Sequence, residues 1–229
     1  MLFGRNNFLG GRTMHLDTKR ITIIAMFCAI AYVVVVFVRI PVVMFLKYEP
    51  KDVIITIGAF TMGPFTGFII SLIVSLVEMF TISDTGLIGM IMNVISTCAF
   101  TCTAACIYKK NHSIKGAAIG LFAGVLVMTA SMLLWNYLLT PLYMHKPRSE
   151  VINILIPAIL PFNLLKAGIN MALTILLYKP VVTALRKASL LPPSEPVTGR
   201  RKLNLGFMIF ALALLAACVL SILAMRGII

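Results

Sequence analysis

Charge is scarce in this chain. Asp, Glu, Lys and Arg together make up 12% of its 229 residues, against roughly 25% in a soluble domain. Hydrophobic residues make up 60%, and mean hydropathy is +1.03. Such a chain is an all-α integral membrane protein whose helices use most of its length, leaving little for a soluble catalytic domain. Reaction motifs are missing too. No G-x-x-x-x-G-K-[ST] loop is present, so the chain carries no ATPase of its own. H-E-x-x-H, G-x-S-x-G and a paired intramembrane aspartate motif are also absent, and an enzyme is not the reading. Only 7 acidic residues stand against 20 basic ones. With no RNA-binding aromatic motif and no long basic loop, that excess reads as cytoplasmic anchoring, not nucleic-acid binding. All 5 cysteines fall within apolar runs, which disfavours a disulfide framework. Cys98, Cys102 and Cys106 share a helical face but have no His or carboxylate beside them. They read as packing, and no metal site is expected.

The apolar runs set the architecture. They cover 21–38, 52–62, 65–80, 87–108, 114–139, 151–178 and 205–225. The first is too long for a signal-peptide core, and Arg39-Ile40-Pro41 follows it in place of a small-residue cleavage site. It reads as a permanent helix behind a cytoplasmic tail, 1–18. Gly63-Pro64 separates the second run from the third, because proline removes a helical hydrogen bond and clashes with the preceding turn. The positive-inside rule favours the same split: merging the two would move the basic turn 109–115 and the C-terminal basic linker to the outside. Run 52–62 is only about 17 Å long at 1.5 Å per residue. A segment that short is tolerated where protein or a cavity shelters its backbone. The expected organisation is a tail at 1–18, a six-helix membrane domain at 19–188, a proline-rich basic linker at 189–204 and an additional hydrophobic helix within 205–229. Loops are expected over 39–51 and 140–150.

Lys166 is the residue most in need of explanation. It sits inside the apolar run 151–178, where a cation costs roughly 2.5 to 3.5 kcal/mol on insertion scales. Asn163, Lys166 and Asn170 share one helical face, so the stripe points into a bundle or a cavity. In the topology above, Lys166 lies about 18 Å from the inner end of its helix, in the outer half of a core about 30 Å thick. Asn136, Asn93 and Glu78 come out at a similar depth on their own segments, with Tyr48 and Glu49 in the outer loop. A binding site open to the outside is the natural reading. The bland alternatives are a structural Lys166–Glu78 ion pair, an interfacial aromatic belt at Trp135 and Tyr137, and amides that merely bridge helices. Arg39, Lys47, Lys51, Lys146 and Arg148 read as headgroup anchors around the outer mouth. Ala25 and Ala29 form a small-xxx-small pair that fits either packing within the bundle or close approach of a partner helix.

Several motifs carry a family likeness. Leu46-Lys47-Tyr48-Glu49-Pro50-Lys51-Asp52, followed by Gly58, Gly63-Pro64-Phe65 and Gly67, resembles the first outer loop and second helix of riboflavin-type substrate-binding subunits of energy-coupling factor (ECF) transporters. So do Met92-Asn93, the stretch from Trp135-Asn136-Tyr137 to Thr140-Pro141-Leu142-Tyr143, and Pro161-Phe162-Asn163-Leu164-Leu165-Lys166. The resemblance implies a six-helix S component in a bacterial cell membrane, multi-pass, with a cytoplasmic N-terminus. It would bind riboflavin as transported ligand, with no cofactor, and dock onto a transmembrane coupling protein and two ATPase subunits that power release. Asn136, Asn163 and Lys166 match flavin-contacting positions, Tyr48 and Glu49 match the loop over the pocket, and Ala25 and Ala29 match the docking alanines of the first helix. The hydrophobic run 205–225 departs from the family and has no role assigned by it. A lipid-facing helix and a partner-docking helix are both open. The alternatives are a sister subunit for another vitamin and an ion-coupled secondary transporter. The latter normally needs a larger chain built from repeats, and no internal repeat is found.

Overall fold

The computed structural model describes residues 18–43, 46–144, 147–191 and 205–225. The expected tail and linker, and Lys146, fall outside the described residues except at their edges. Helix α1 (Thr18–Phe37) turns Ile23, Ile24, Phe27, Ala31 and Val35 inward. These recur at helical spacing and so form one face. Ala25 and Ala29 lie on the opposite, exposed side. Helix α2 (Lys51–Met62) has nine of its twelve residues buried and packs against α1, α3, α4 and α7. A helix buried on all sides is a core element, which explains how one too short to span is kept from lipid.

Gly63 ends α2 with φ 101°, a conformation open to glycine and strained for other residues. Pro64 then opens α3 (Pro64–Thr81) at its first position, where no intrahelical N–H is needed. Helices α4 (Gly86–Lys110) and α5 (Ile114–Met144) follow. Their close approach rests on glycines: a Cβ at Gly120 or Gly124 would come within 2.7 Å of the carbonyl oxygen of Ala104 or Phe100. Near the lysine-bearing α4–α5 turn, Phe60 stacks on Tyr108 at 4.5 Å, and the Tyr108 and Tyr178 hydroxyls share a hydrogen bond of 3.0 Å.

Two expected loops are structured. Within 39–51, strands β1 (Ile40–Val43) and β2 (Leu46–Tyr48) form an antiparallel hairpin pairing Ile40 with Tyr48. Across 140–150, α5 continues through Pro141 to Met144, and α6 (Arg148–Ile154) begins soon after. A proline forfeits one hydrogen bond, which neighbouring groups in a membrane bundle can offset. Helix α6 passes through a π-helical turn, Leu155–Ile159, into α7 (Leu160–Lys187). Pro157 lies inside the turn and Pro161 just after it. Each lacks the N–H that an α-helix would use, and the wider turn absorbs the mismatch. Finally, α8 (Leu205–Met225) packs on α7 and touches β1. Among the described residues, α1, α3, α4, α5, the α6–α7 run and α8 are long and apolar enough to cross a membrane.

Candidate ligand-binding site

The polar residues gather at the hairpin end of the bundle. A cavity of about 300 Å³ opens there between the hairpin, the α3–α4 turn, α4, α5 and α7. Arg39, Leu46, Lys47 and Glu49 line it from the hairpin side. Asp84, Thr85, Ile88, Gly89, Met92, Asn93 and Ser96 line it from the α3–α4 turn and α4, Met132 and Thr140 from α5, and Phe162, Asn163 and Lys166 from α7. Four of the residues singled out from sequence thus share one cavity: Glu49, Asn93, Asn163 and Lys166.

The other three stand behind its wall. Asn136 is fully buried; it donates to the Met132 carbonyl at 2.7 Å and accepts from the Thr140 hydroxyl at 3.0 Å. It therefore orders two residues that do face the cavity. Tyr48 donates to Asn170 Oδ1 at 3.1 Å. Glu78 pairs with Lys51 and accepts from Asn93 Nδ2 at 3.3 Å.

Ion pairs knit the wall together. Glu49 Oε1 meets Arg39 Nε at 2.9 Å, and its Oε2 meets Lys51 Nζ at 2.9 Å. Arg39 also donates to the Ile82 carbonyl at 2.6 Å, joining the hairpin to the end of α3. Burial alone would raise the Glu49 carboxyl, but the Lys51, Lys166 and Arg39 charges outweigh it and hold it down to about 2. At the exposed mouth Lys47 Nζ meets Asp84 Oδ2 at 2.5 Å. That hydrogen bond and the attending charges keep the Asp84 carboxyl below its usual range.

Lys166 does not pair with Glu78. Its Nζ lies 3.5 Å from Asp52 Oδ2, while Lys51 takes Glu78. The reason is helical geometry: Lys51 and Asp52 are successive residues, so their side chains leave α2 about 100° apart. One reaches α3 and the other α4 and α7. Lys51 is accordingly no headgroup anchor, being wholly buried. Arg39, Lys51 and Lys166 are matched by Glu49, Asp52 and Glu78, so the wall carries no large charge excess.

Sequence reasoning passed over Arg39, Lys51 and Asp52 as binding-site elements because it set them in a loop or at its edge. The available signal was the shortness of the run that Arg39 and Lys51 precede and Asp52 opens. A helix too short to span begins inside the membrane's thickness, and charges at its start lie there with it. The cavity can hold a solute with apolar faces, against Leu46, Ile88, Met92, Met132 and Phe162, and with polar edges for Asn163, Asn93 and Lys166. Ser96 Oγ is buried without a hydrogen-bond partner among the described residues, and a polar solute would supply one.

Spanning helices around a solute-sized polar cavity define a multi-pass, solute-binding membrane protein. The model of the ECF transporter substrate-specific component family matches residues 19–178. This chain belongs to that family. It is 31% identical over 189 residues to the riboflavin transporter RibU of Staphylococcus aureus (strain TCH60), covering 78% of this chain and 98% of that protein. Against the riboflavin transporter FmnP of Bacillus subtilis (strain 168) it is 29% identical over 164 residues, 66% of this chain and 85% of the relative. A solved structure of the S component of a bacterial ECF transporter superposes with a TM-score of 0.63 at 32% identity, covering 73% of this chain and 98% of that one. These relatives are transport proteins, and α8 lies beyond the family span.

Proposed function

We propose that the chain is the high-affinity riboflavin-binding subunit of an ECF-type importer. It captures riboflavin from outside and delivers it through a transmembrane coupling protein driven by two ATPase subunits, which hydrolyse the ATP. The observation that carries this reading is the joint placement of Asn163, Lys166, Asn93 and Glu49 in one cavity, in a chain whose relatives are named riboflavin transporters. The ligand's chemistry suits the wall. Flavin carbonyls and the ring N–H are groups that amides read from both sides, and Lys166 can donate to a carbonyl or ring nitrogen. Methionine and aliphatic side chains suit the ring faces, and the ribityl hydroxyls offer Ser96 a partner. A ligand lacking these groups would leave buried polar atoms unpaired, which makes discrimination strong.

The hairpin end faces outside and the N-terminus is cytoplasmic. Lys109, Lys110, Arg186 and Lys187 lie in the last turns of α4 and α7, at the opposite end from the cavity, as the positive-inside rule requires. Ala25 and Ala29 form the surface for the coupling protein, and both are exposed on α1.

Equilibrium titration of the purified chain tests the ligand. Riboflavin should bind one to one, with flavin absorbance following the protein through purification. Absence of flavin binding together with tight binding of another vitamin would make the chain a sister subunit.

A further inference from the structure

We propose that Asp52 is a positioning residue for ligand recognition: from behind the wall it holds the Lys166 ammonium toward the cavity and, through Asn170, ties it to Tyr48 of the hairpin. The inference rests on the reading of the cavity as the flavin site.

Asp52 is wholly buried and does not line the cavity. Its Oδ1 accepts from the Thr97 hydroxyl at 2.6 Å, and its Oδ2 accepts from Asn170 Nδ2 at 3.0 Å. That same Oδ2 lies 3.5 Å from Lys166 Nζ. Two short hydrogen bonds from different helices fix the carboxylate, while the contact to Lys166 is longer. An ammonium has three N–H donors and a flexible stem. A counter-ion at this distance holds it aimed while leaving donors for a ligand. The Glu49 charge also acts on Lys166, but Arg39 and Lys51 already engage both its oxygens. Asp52 is thus the carboxylate that serves Lys166.

The far side of the network reaches the hairpin. Asn170 turns its amide nitrogen to Asp52 and its oxygen to the Tyr48 hydroxyl, which donates at 3.1 Å. Tyr48 closes strand β2, and its neighbours Lys47 and Glu49 line the cavity. A shift of Lys166 on ligand binding is therefore felt at Asp52, Asn170 and the hairpin in turn.

The test is a double-mutant cycle on the full chain in detergent, with riboflavin affinity read by flavin fluorescence. Asp52→Asn keeps the side chain's size and removes its charge. We expect it to weaken binding about tenfold or more when Lys166 is present, but less than about twofold in a Lys166→Met background. The visible band of bound flavin should shift alike in Asp52→Asn and Lys166→Met, a signature that loose packing does not produce. Should Asp52→Asn fail to fold, Thr97→Val withdraws only one hydrogen bond from the carboxylate, and about a threefold loss confined to the Lys166 background is expected. Equal losses in both backgrounds, or unchanged affinity with Lys166 present, would overturn the inference and leave Asp52 a packing residue. A wild-type chain that binds no flavin overturns the flavin reading and this inference with it. Wild-type binding with an indifferent Asp52 overturns the inference alone.

Discussion

A buried lysine is only as informative as its counter-ion. Met in place of Lys166 suits an apolar helix, so from sequence alone the substitution looks harmless to the fold. The structure leads to a different expectation, because Asp52 would lose the cation 3.5 Å from its Oδ2, and breaking a buried pair costs about 3 to 5 kcal/mol. We expect Lys166→Met to weaken riboflavin binding by about 1.5 to 3 kcal/mol, the range for a hydrogen bond from a charged donor, and also to lower the melting temperature of the ligand-free chain. Adding Asp52→Asn should restore the melting temperature without restoring affinity. Intact stability in Lys166→Met would mean that Asp52 needs no partner. Glu49 gives a pH prediction. Its folded value, about 2, lies below the ordinary 4.5. The stability its ion pairs contribute is therefore whole above the ordinary value and is lost as pH falls from there toward the folded one. The melting-temperature advantage of wild type over Glu49→Gln should be flat near neutral pH and shrink across that acid window. A constant advantage across the window would show that charge is not what Glu49 contributes.

At the scale of elements, helix α8 is the addition to the family plan. Little of it is buried, as a lipid-facing helix requires, and its contact with α7 turns on Gly168, where a Cβ would lie 3.0 Å from Cys218 Sγ. In lipid, helices associate through close packing at small residues, so this contact is where α8 is fixed. A Cβ at that distance from a neighbouring sulfur suits a disulfide, whose S–S bond is about 2.05 Å. Gly168→Cys should therefore cross-link to Cys218 on mild oxidation, read as protection of both thiols from maleimide. No cross-link would mean that α8 does not keep this register in the membrane. Helix α1 makes a different prediction. Since Ala25 and Ala29 face outward, Ala29→Leu should abolish uptake by the whole transporter while riboflavin binding to the isolated chain stays intact. Loss of binding would show that the alanine packs within the bundle. The helices themselves were legible because apolar runs and Gly63-Pro64 mark their ends directly. The hairpin and the π-helical turn were not. The first lay in a stretch expected as a loop, where cross-strand pairing is not written locally, and the second lay inside one continuous apolar run, 151–178, whose hydropathy does not tell a wider turn from an α-helical one.

For the whole molecule, the question is which flavin the mouth prefers. Of the five basic residues expected as headgroup anchors at the mouth, Lys51 is buried, Arg39 serves Glu49, Lys47 serves Asp84, and the Arg148 guanidinium sits 5.8 Å from the Tyr137 ring centre. Cations already matched have little to offer a phosphate. We expect riboflavin to bind more tightly than FMN, with FMN affinity falling as salt rises because exposed charges are screened within about 10 Å at moderate ionic strength. Competition titration at low and high salt checks it; equal affinities without salt dependence would reveal a built phosphate site.

The sequence alone determined that this chain is a membrane bundle with a short broken second helix, and that Lys166 and its amide neighbours share a face. Hydropathy, proline and helical period act locally, and a linear reading captures them. Only the tertiary structure decided which carboxylate answers Lys166, that Asn136 stands behind Met132 and Thr140, and that Lys51 points inward. Those outcomes depend on which helices meet and at what rotation about their axes, and residues separated by more than a hundred positions, such as Asp52 and Asn170, meet only once the bundle closes.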